Sequence, residues 1–382
     1  LVRYVNLLLN QSITDKASDI HVEPSEDRIR IRLRIDGVLK EIAPAPKEVQ
    51  AALISRLKIM ADMDIAERRI PQDGRLSIAW RGNKVDLRVS AMPTVWGEKI
   101  VMRILDNTAA QMALPDLGFS PENLVRWKEA ASHPHGLIIV SGPTGSGKST
   151  SLYATLNSLV SPEVNIVTVE DPVEYRIAGI NQVQVNPKAG LTFASALRSI
   201  LRSDPDVILI GEIRDHETAH IAIEAALTGH LVLTTLHTNS APSVLTRLNE
   251  MGIEPFLVSS ALECASGQRL TRKLCAKCKV QVEKTPAELA AAGFEYPAGI
   301  DATFFEPVGC SSCAGTGYRG RIGIHEVMIM TDELTALAIA DASADDVKRK
   351  AIEQGMLTLR QDGWRKVAMG ETTISEILRI VS

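Results

Sequence analysis

A glycine-rich stretch between an apolar run and a helical pattern carries the clearest chemistry in this sequence. GPTGSGKS, residues 142–149, fits the spacing G-x-x-x-x-G-K-[ST]. Glycines let backbone N–H groups surround phosphates, and the positive end of the following helix adds to the attraction. We expect Lys148 to reach the β- and γ-phosphates of a nucleotide and Ser149 to ligate Mg²⁺. The predicted nucleotide-binding residues are Gly142, Pro143, Thr144, Gly145, Ser146, Gly147, Lys148, Ser149 and Thr150.

A phosphate-binding loop alone does not establish hydrolysis, because an acidic group must also place water or metal. The sequence offers two acidic segments, each at the end of an apolar run. DPDVILIGEIRD, residues 204–215, leads to Glu212, and we expect its strand to lie beside the strand of the phosphate loop. NIVTVEDPVE, residues 165–174, leads to Glu170, Asp171 and Glu174. The alternative is that these carboxylates are solvated acids at strand ends.

Two histidines bracket a further apolar run, TGHLVLTTLHTNSA, at residues 228–241. His230 precedes the run, and a structural role and a functional role are equally compatible with it. His237 follows the run, at the carboxyl end of a predicted strand, where ligands bind in parallel sheets. We therefore interpret His237 as a sensor of the γ-phosphate rather than as a structural histidine.

Four of the five cysteines form two CxxC pairs, which are Cys275 with Cys278 and Cys310 with Cys313. Four thiolates at this spacing suit a tetrahedral, structural Zn²⁺ site. A redox dithiol, which would need one CxxC near a βαβ unit, is the alternative. The gap between the pairs has room for a helix at about 286–293. Cys264 lies in an apolar stretch that we predict to be helical, and we interpret it as a small buried hydrophobe.

Strands that alternate with helices must position these groups. Continuous apolar runs are typical of parallel strands buried on both faces, so we predict a mostly parallel central sheet built from βαβ units. The predicted strands are 136–141, 164–170, 206–211 and 230–236, and a helix at about 121–132 precedes them.

The pattern changes along the chain and divides it into domains. Residues 1–106 predict a smaller α+β domain, with amphipathic helices over 2–16 and 47–66 and a hairpin over 27–42, where arginines alternate with aliphatic residues. The remaining predicted parts are a linker over 107–120, an α/β domain over 121–382, a tetracysteine subdomain over 271–323 and C-terminal helices over 332–382.

Composition and charge exclude several classes of protein. With 382 residues, 45% of them hydrophobic and 23% charged, the chain can form two or three folded domains and is not disordered. Its net charge of −4 argues against a protein that coats nucleic acid. No apolar run approaches the roughly 18 residues that a membrane-spanning helix needs. Because the first residue is Leu, we expect the sequence to be a fragment or processed form of a longer chain.

Taken together, these motifs resemble the secretion ATPases of the type II secretion and type IV pilus assembly family. The resemblance covers nearly the whole chain, because the motifs occur in a fixed order that a generic P-loop protein does not have. Besides the phosphate loop they are ASDIHVEP (17–24), RIRLRIDGVL (30–39), DIAERRIPQDGR (64–75), DLRVSAMPT (86–94), GEKIVMRILD (97–106), TVEDPVE (168–174), SDPDVILIGEIRD (203–215) and TGHLVLTTLHTN (228–239).

This resemblance implies a RecA-like P-loop ATPase domain with a parallel central sheet, preceded by a smaller PAS-like α+β domain and carrying a zinc-binding insert. It implies that ATP and Mg²⁺ bind, that Glu212 is the catalytic carboxylate and that Glu170 lies beside metal and water. Arg88 and Arg103 match family arginines that reach the nucleotide from the N-terminal domain and stabilise charge on the γ-phosphoryl group. The alternative for both arginines is a solvated or salt-bridged position on a strand.

The resemblance also implies partners. It predicts a homohexamer on the cytoplasmic face of the inner membrane, held there peripherally through partners, that drives an inner-membrane platform protein. The tetracysteine insert favours pilus assembly or secretion over retraction, because retraction ATPases lack it. Alternatives are a pilus retraction ATPase, a nucleotide-gated scaffold without activity, and a DNA-translocating motor, which the arginines of 28–34 favour. We expect no nucleic acid partner, because the chain is acidic and lacks interleaved aromatic residues.

Overall fold

A computed structural model of the protein describes residues 1–105 and 112–381. Contacts within the chain divide it into two units, Leu1–Ala109 and Ala110–Ser382. Residues 107–111 of the predicted linker lie outside the described residues, and the predicted domain bounds stay predictions. Within the described stretches, no helix is both long enough and apolar enough to cross a bilayer.

The first unit is an antiparallel sheet with two helices. Its elements are α1 (Val2–Thr14), β1 (Ala17–Pro24), β2 (Arg28–Ile35), β3 (Val38–Glu41), β4 (Ala45–Pro46), α2 (Gln50–Met60), β5 (Gln72–Trp80), β6 (Asn83–Thr94) and β7 (Gly97–Leu105). The strands run in the order β3-β2-β1-β7-β6-β5, and β4 pairs with β2.

Alternation along β2 decides which face of this sheet is the core. Ile29, Ile31 and Leu33 are fully buried, whereas the arginines between them lie on the opposite face. The second predicted helix is shorter than expected: α2 ends at Met60, and Asp62 adopts a left-handed conformation with a φ of 58° that a helix cannot continue through.

The second unit contains the predicted alternation of strands and helices. Its elements are α3 (Pro121–Ala131), β8 (Gly136–Ser141), α4 (Lys148–Leu159), β9 (Ile166–Glu170), β10 (Asn181–Gln184), α5 (Phe193–Ile200), β11 (Val207–Ile210), α6 (His216–Leu227), β12 (Leu231–Leu236), α7 (Ser243–Glu250), α8 (Pro255–Ala261), β13 (Leu262–Leu274), β14 (Val280–Val282), α9 (Pro286–Ala292), β15 (Phe304–Glu306), β16 (Tyr318–Ile329), α10 (Asp332–Ile339), α11 (Ala344–Glu353), α12 (Leu359–Ala368) and α13 (Ile374–Ile380).

The central sheet of this unit is mostly parallel, which confirms the predicted fold class. Its strands run in the order β10-β9-β11-β12-β8-β13-β16, and β16 alone among these described strands runs antiparallel to its neighbour. The expectation that the strand before Glu212 lies beside the strand of the phosphate loop is wrong. Strand β12 lies between β11 and β8, so the segment that contains His237 follows the adjacent strand.

Two further features differ from the sequence prediction or extend it. Cys264 lies in strand β13, not in a helix, and is fully buried. A 3-10 turn, Leu114–Leu117, occupies part of the predicted linker, and Leu114, Leu117 and Phe119 belong to a core cluster of the second unit. That part of the chain therefore packs as part of the second unit.

The cysteine-rich insert lies between β13 and β16. Strands β14 and β15 form a small antiparallel sheet, and helix α9 lies between them in the sequence, close to the expected position. Thr285 and Glu288 form a capping box that starts α9, and Gly293 ends it in a left-handed conformation. Helices α10 to α13 confirm the helical pattern of the C-terminal segment.

Candidate nucleotide-binding site and cysteine cluster

The phosphate loop joins a fully buried strand to a helix, as its motif requires. All six residues of β8 are buried, and α4 begins at Lys148 directly after Gly147, whose φ is 90°. Gly142 has a φ of 151°, and a Cβ added there would lie 2.6 Å from the carbonyl oxygen of Gln268. Glycine is therefore required at Gly142 both for its backbone conformation and for the close packing of the loop on β13.

Two groups in the loop fit a phosphate ligand. The Lys148 Nζ donates to the carbonyl oxygens of Gly142 (2.8 Å) and Pro143 (3.1 Å), so the ammonium lies against the loop. The Ser146 hydroxyl is buried and has no hydrogen-bond partner among the described residues. A polar group of this kind favours a site that a ligand completes. Ser149, the predicted Mg²⁺ ligand, lies exposed in the first turn of α4.

The ammonium of Lys148 is under competing electrostatic influences. Burial lowers the pKa of Lys148, the charge of Glu212 opposes that effect, and the charge of Arg269 adds to it. The carboxylate of Glu212 is therefore close enough to the loop lysine to act on its charge, although β12 separates their strands. This brings together two of the predicted site residues.

Glu212 is held between a guanidinium and an imidazole. Its Oε1 lies 2.5 Å from the Arg214 Nη2, and its Oε2 lies 3.3 Å from the His237 Nε2. Burial would raise the pKa of the Glu212 carboxyl, but Arg214 and His237 together hold that pKa below its ordinary value. Glu212 therefore carries a negative charge at neutral pH beside a partly exposed histidine, as a residue that orients water would.

Glu170, the other predicted catalytic carboxylate, has a different environment. It is 4% exposed, and its carboxylate accepts hydrogen bonds from the Thr168 hydroxyl (2.6 Å), the Gln182 side-chain amide (3.1 Å) and the Tyr153 hydroxyl. Burial, followed by the charge of Glu170, raises the pKa of Tyr153, which stays a protonated donor. This network fixes Glu170 in one orientation at the end of β9, and its catalytic role stays a prediction.

The two histidines differ in their surroundings. The His230 Nδ1 lies 2.9 Å from the carbonyl oxygen of Ala225, the residue near the end of helix α6, and this contact fits a structural role. The side chain of His237 is 51% exposed and contacts Glu212. Of the two, His237 alone has the position of a site residue.

Arg88 and Arg103 are neighbours in the first unit. They lie opposite each other in the pairing of β6 with β7, on the face away from the core, because Leu87, Val89 and Met102 are buried on the other face. The Arg103 Nε donates to the Asp19 carboxylate over 2.9 Å. Two cations therefore lie side by side on this sheet, and their contact with nucleotide stays a prediction.

The four paired cysteines come together at the end of β13. Their Sγ atoms all lie within 4.8 Å of one another, and three of the pairs are 3.8–3.9 Å apart. Tetrahedral Zn²⁺ with Zn–S bonds of about 2.3 Å requires S–S separations of about 3.8 Å, so this donor set fits zinc. Burial would raise the pKa of the Cys313 thiol, but backbone N–H groups of Cys310 and Gly317, which donate to its Sγ, and the neighbouring thiols of Cys278 and Cys310 hold that pKa below its ordinary value.

Cys264 has no part in this cluster. Burial raises the pKa of its thiol, as expected for a cysteine that acts as a small hydrophobe.

Sequence reasoning missed several residues that build the site. Tyr153 holds Glu170, Arg214 holds Glu212, and Gln268 accepts a hydrogen bond from the Ser151 hydroxyl under the phosphate loop over 2.8 Å. Arg269, the neighbour of Gln268, donates to the carbonyl oxygen of Asn239 over 3.0 Å. Of these residues, Arg214 could have been found from the sequence, because it lies two residues after Glu212. The other contacts depend on how strands and helices pack.

A phosphate loop at the carboxyl end of a mostly parallel sheet, with a carboxylate and a histidine after neighbouring strands, defines a P-loop nucleotide-binding protein. The family model described as "Type II/IV secretion system protein" matches residues 1–379. The chain belongs to this family, which confirms the resemblance drawn from its motifs.

Several relatives are similar over nearly the whole chain. The chain is 52% identical over 380 residues to the type IV pilus assembly ATPase PilB of Myxococcus xanthus, covering 99% of this chain and 67% of that protein. It is 48% identical over 380 residues to the type II secretion system protein HxcR of Pseudomonas aeruginosa, covering 100% of this chain and 77% of that protein. It is 48% identical over 376 residues to PilB of Thermus thermophilus, covering 98% of this chain but 42% of that protein.

Two solved structures have a similar fold. The ATPase DotB of Legionella pneumophila has a TM-score of 0.72 at 21% identity, with 98% of this chain and 94% of that chain covered, a likeness of fold alone. The pilus retraction motor PilT with bound ADP has a TM-score of 0.64 at 25% identity, with 97% and 95% covered. Identity is therefore much higher to the pilus assembly and secretion proteins than to the retraction motor.

Proposed function

We propose that this chain is the ATP-hydrolysing part of a motor that powers type IV pilus assembly or type II protein secretion. The observation that carries the proposal is the grouping of Lys148, Glu212 and His237 at the carboxyl edge of the parallel sheet. One group binds phosphate, one is a charged carboxylate and one is a partly exposed imidazole. Membership of the secretion family supports the same activity.

The roles of the loop residues follow from their chemistry. Lys148 binds the β- and γ-phosphates, and the N–H groups of residues 142–150 surround them. Ser149 holds Mg²⁺, which neutralises charge on the phosphates when bound. The buried hydroxyl of Ser146, within this loop, acquires a hydrogen-bond acceptor when phosphate binds.

Glu212 orients the attacking water and accepts its proton. Its low pKa keeps it charged, and Arg214 and His237 fix the positions of its two oxygens. His237 contacts the γ-phosphate as well and reports its loss. Glu170 lies beside metal and water in this proposal, and its hydrogen bonds keep it rigid rather than free to move a proton.

Arg88 and Arg103 supply positive charge to the γ-phosphoryl group from the first unit. In this proposal six copies of the chain assemble into a ring, and hydrolysis moves the first unit against the ATPase domain. The ring works on the cytoplasmic face of the inner membrane, through a platform protein, and does not bind nucleic acid.

The cysteine cluster holds a structural Zn²⁺, which supplies four metal–thiolate bonds that close the insert when bound. In the proposed scheme this insert favours assembly or secretion over retraction. The likeness to PilT keeps retraction as the alternative, and the lower identity makes it the weaker one.

The experiment is phosphate release by the assembled oligomer with Mg²⁺ and ATP, repeated with EDTA and with added DNA at low salt. We expect steady turnover with Mg²⁺, none with EDTA and no stimulation by DNA. Absence of turnover would contradict the proposed activity, and binding and strong stimulation by DNA would favour a DNA-translocating motor instead.

A further inference from the structure

The segment His237–Ala241 connects β12 to helix α7 and carries the histidine that contacts Glu212. Hydrogen bonds connect its backbone to three strands of the sheet. The Ser141 hydroxyl, at the end of β8, donates to the carbonyl oxygen of Ser240 over 3.3 Å. Side chains on strands β13 and β16 make the other two hydrogen-bonded connections to this backbone.

Arg269 on β13 makes one of these connections. Its Nη2 donates to the carbonyl oxygen of Asn239 over 3.0 Å, and its Nη1 donates to the carbonyl oxygen of Gln268 over 3.0 Å. Gln268 in turn packs on the phosphate loop, because its carbonyl oxygen is one of the two atoms that would lie 2.6 Å from a Cβ at Gly142. One guanidinium therefore joins the segment of His237 to the residue that supports the phosphate loop.

Glu326 on β16 makes the other hydrogen-bonded connection. Its Oε1 accepts a hydrogen bond from the backbone N–H of Ala241 over 2.8 Å, and the side chain is buried. Strand pairing sets Gly267 opposite Glu326 and Arg269 opposite Ile324, so the side chains of Arg269 and Glu326 lie on one face of the paired strands β13 and β16.

Gly267 leaves room for this arrangement. A Cβ added at Gly267 would lie 3.2 Å from the Ala241 nitrogen and 3.3 Å from the Glu326 Oε1, closer than ordinary packing allows. The paired strands β13 and β16 therefore bring the Arg269 guanidinium, the Glu326 carboxyl group and a position without a side chain together against one short segment. A buried carboxylate and a half-buried guanidinium are costly to place, and both here bind backbone groups of that segment.

We propose that Arg269 and Glu326 are positioning residues for hydrolysis, which hold the His237–Ala241 segment so that His237 contacts Glu212. This inference rests on the proposed function. The hydrogen bonds of both side chains go to backbone groups after His237, so their loss lowers the rate of the chemical step more than it lowers the affinity for ATP. Through the carbonyl oxygen of Gln268, Arg269 also connects this segment to the residue that packs on the phosphate loop.

The test uses Arg269→Gln, Arg269→Lys and, as a matched control, Arg349→Gln, whose side chain is 75% exposed on helix α11. Each full chain is assayed for kcat and KM of ATP hydrolysis, for dissociation constant of a fluorescent ATP analogue, and for hydrogen exchange in the peptide that spans 237–241. We expect Arg269→Gln to lower kcat at least tenfold, to lower nucleotide affinity by a clearly smaller factor, and to give faster exchange in that peptide. Arg269→Lys restores part of the rate, and Arg349→Gln leaves all values within twofold.

Substitutions at Glu326 test the same proposal independently. Glu326→Gln keeps an acceptor for the Ala241 N–H, so kcat stays within about threefold of wild type. Glu326→Leu removes the acceptor, so kcat falls at least tenfold and the exchange of Ala241 accelerates. If Glu326→Leu does not fold, the comparison of the Arg269 variants decides.

Unchanged kcat and unchanged exchange in Arg269→Gln would overturn the proposal. A loss of nucleotide affinity as large as the loss of kcat would overturn it too, because Arg269 would then be a binding residue. If the wild-type chain releases no phosphate, the proposed function fails, and the exchange rate alone decides whether the two side chains hold the segment.

Discussion

Replacing Glu212 by Gln tests the assignment of the carboxylate that activates water. Gln keeps the size of the side chain and can still accept a hydrogen bond, but it cannot take a proton. Loss of a positioned general base lowers turnover by about 10²–10⁴-fold, so we expect kcat to fall within that range. Because the negative charge near Lys148 is removed, nucleotide affinity stays equal or increases.

The structure also limits the damage that this change does to the fold. The Arg214 side chain that pairs with Glu212 is 58% exposed, and an exposed ion pair of this kind contributes only about 0–1 kcal/mol. For a domain of more than about 150 residues, 1 kcal/mol corresponds to a Tm change of about 2–4 °C. A fall in Tm well beyond that would indicate a structural role for Glu212.

The assay measures phosphate release, the dissociation constant of a fluorescent ATP analogue and Tm for each variant. Glu217→Gln is the matched control, since Glu217 is 56% exposed on helix α6 and pairs with Arg198. We expect the control to behave as wild type. A kcat within threefold of wild type in Glu212→Gln would refute the assignment, as would parallel loss of turnover and nucleotide binding.

Three further predictions concern other parts of the chain. Arg103→Ala should lower hydrolysis by the assembled ring at least tenfold. The free energy of unfolding of the monomer in urea should change by no more than about 1 kcal/mol, because Arg103 is 61% exposed and the buried Asp19 carboxylate keeps Arg34 as a second partner 3.7 Å away. Unchanged ring activity would contradict this prediction. Metal analysis should find about one zinc per chain, and Cys278→Ser should lose it and lower Tm; full retention of zinc would contradict this. Burial raises the pKa of Asp362 from 3.8 to about 6, so the folded state disfavours the charged carboxylate. The free energy of unfolding therefore decreases as the pH rises through that interval. Asp362→Asn should therefore stabilise the chain by about 1–3 kcal/mol at pH 8 and not at pH 4, as measured by urea unfolding; equal effects at both pH values would contradict the reasoning.

The sequence predicted the elements whose patterns are local. The buried strands β8, β9, β11 and β12 were readable because each is a continuous apolar run, and the phosphate loop was readable because its glycine spacing is specific. The alternation in β2 likewise predicted which side of that strand is buried. In these cases a local pattern of residue types corresponds directly to a local backbone structure.

Other features depend on tertiary contacts that the sequence does not encode locally. The apolar stretch around Cys264 fits a helix or a buried strand equally well, and only its pairing with β8 and β16 makes it a strand. Insertion of β12 between β11 and β8 depends on the topology of the whole sheet.

The residues that support the site could not be predicted from the sequence for the same reason. Arg269 contacts Asn239, 30 positions away, and Glu326 contacts Ala241 across 85 positions. Tyr153 contacts Glu170 from a different element. Side chains that position others are recognised by their burial and their partners, which become visible once strands are paired.

The central claim is that the site around Lys148 and Glu212 splits ATP repeatedly rather than only binding it. The most direct measurement counts inorganic phosphate released per subunit when the native oligomer is mixed with an excess of ATP labelled on the γ-phosphate, in the presence of Mg²⁺. We predict a count that rises linearly past many phosphates per subunit, until the ATP is consumed. A count that stops at one or below, in oligomers with nucleotide bound, would contradict the claim and leave a nucleotide-gated scaffold.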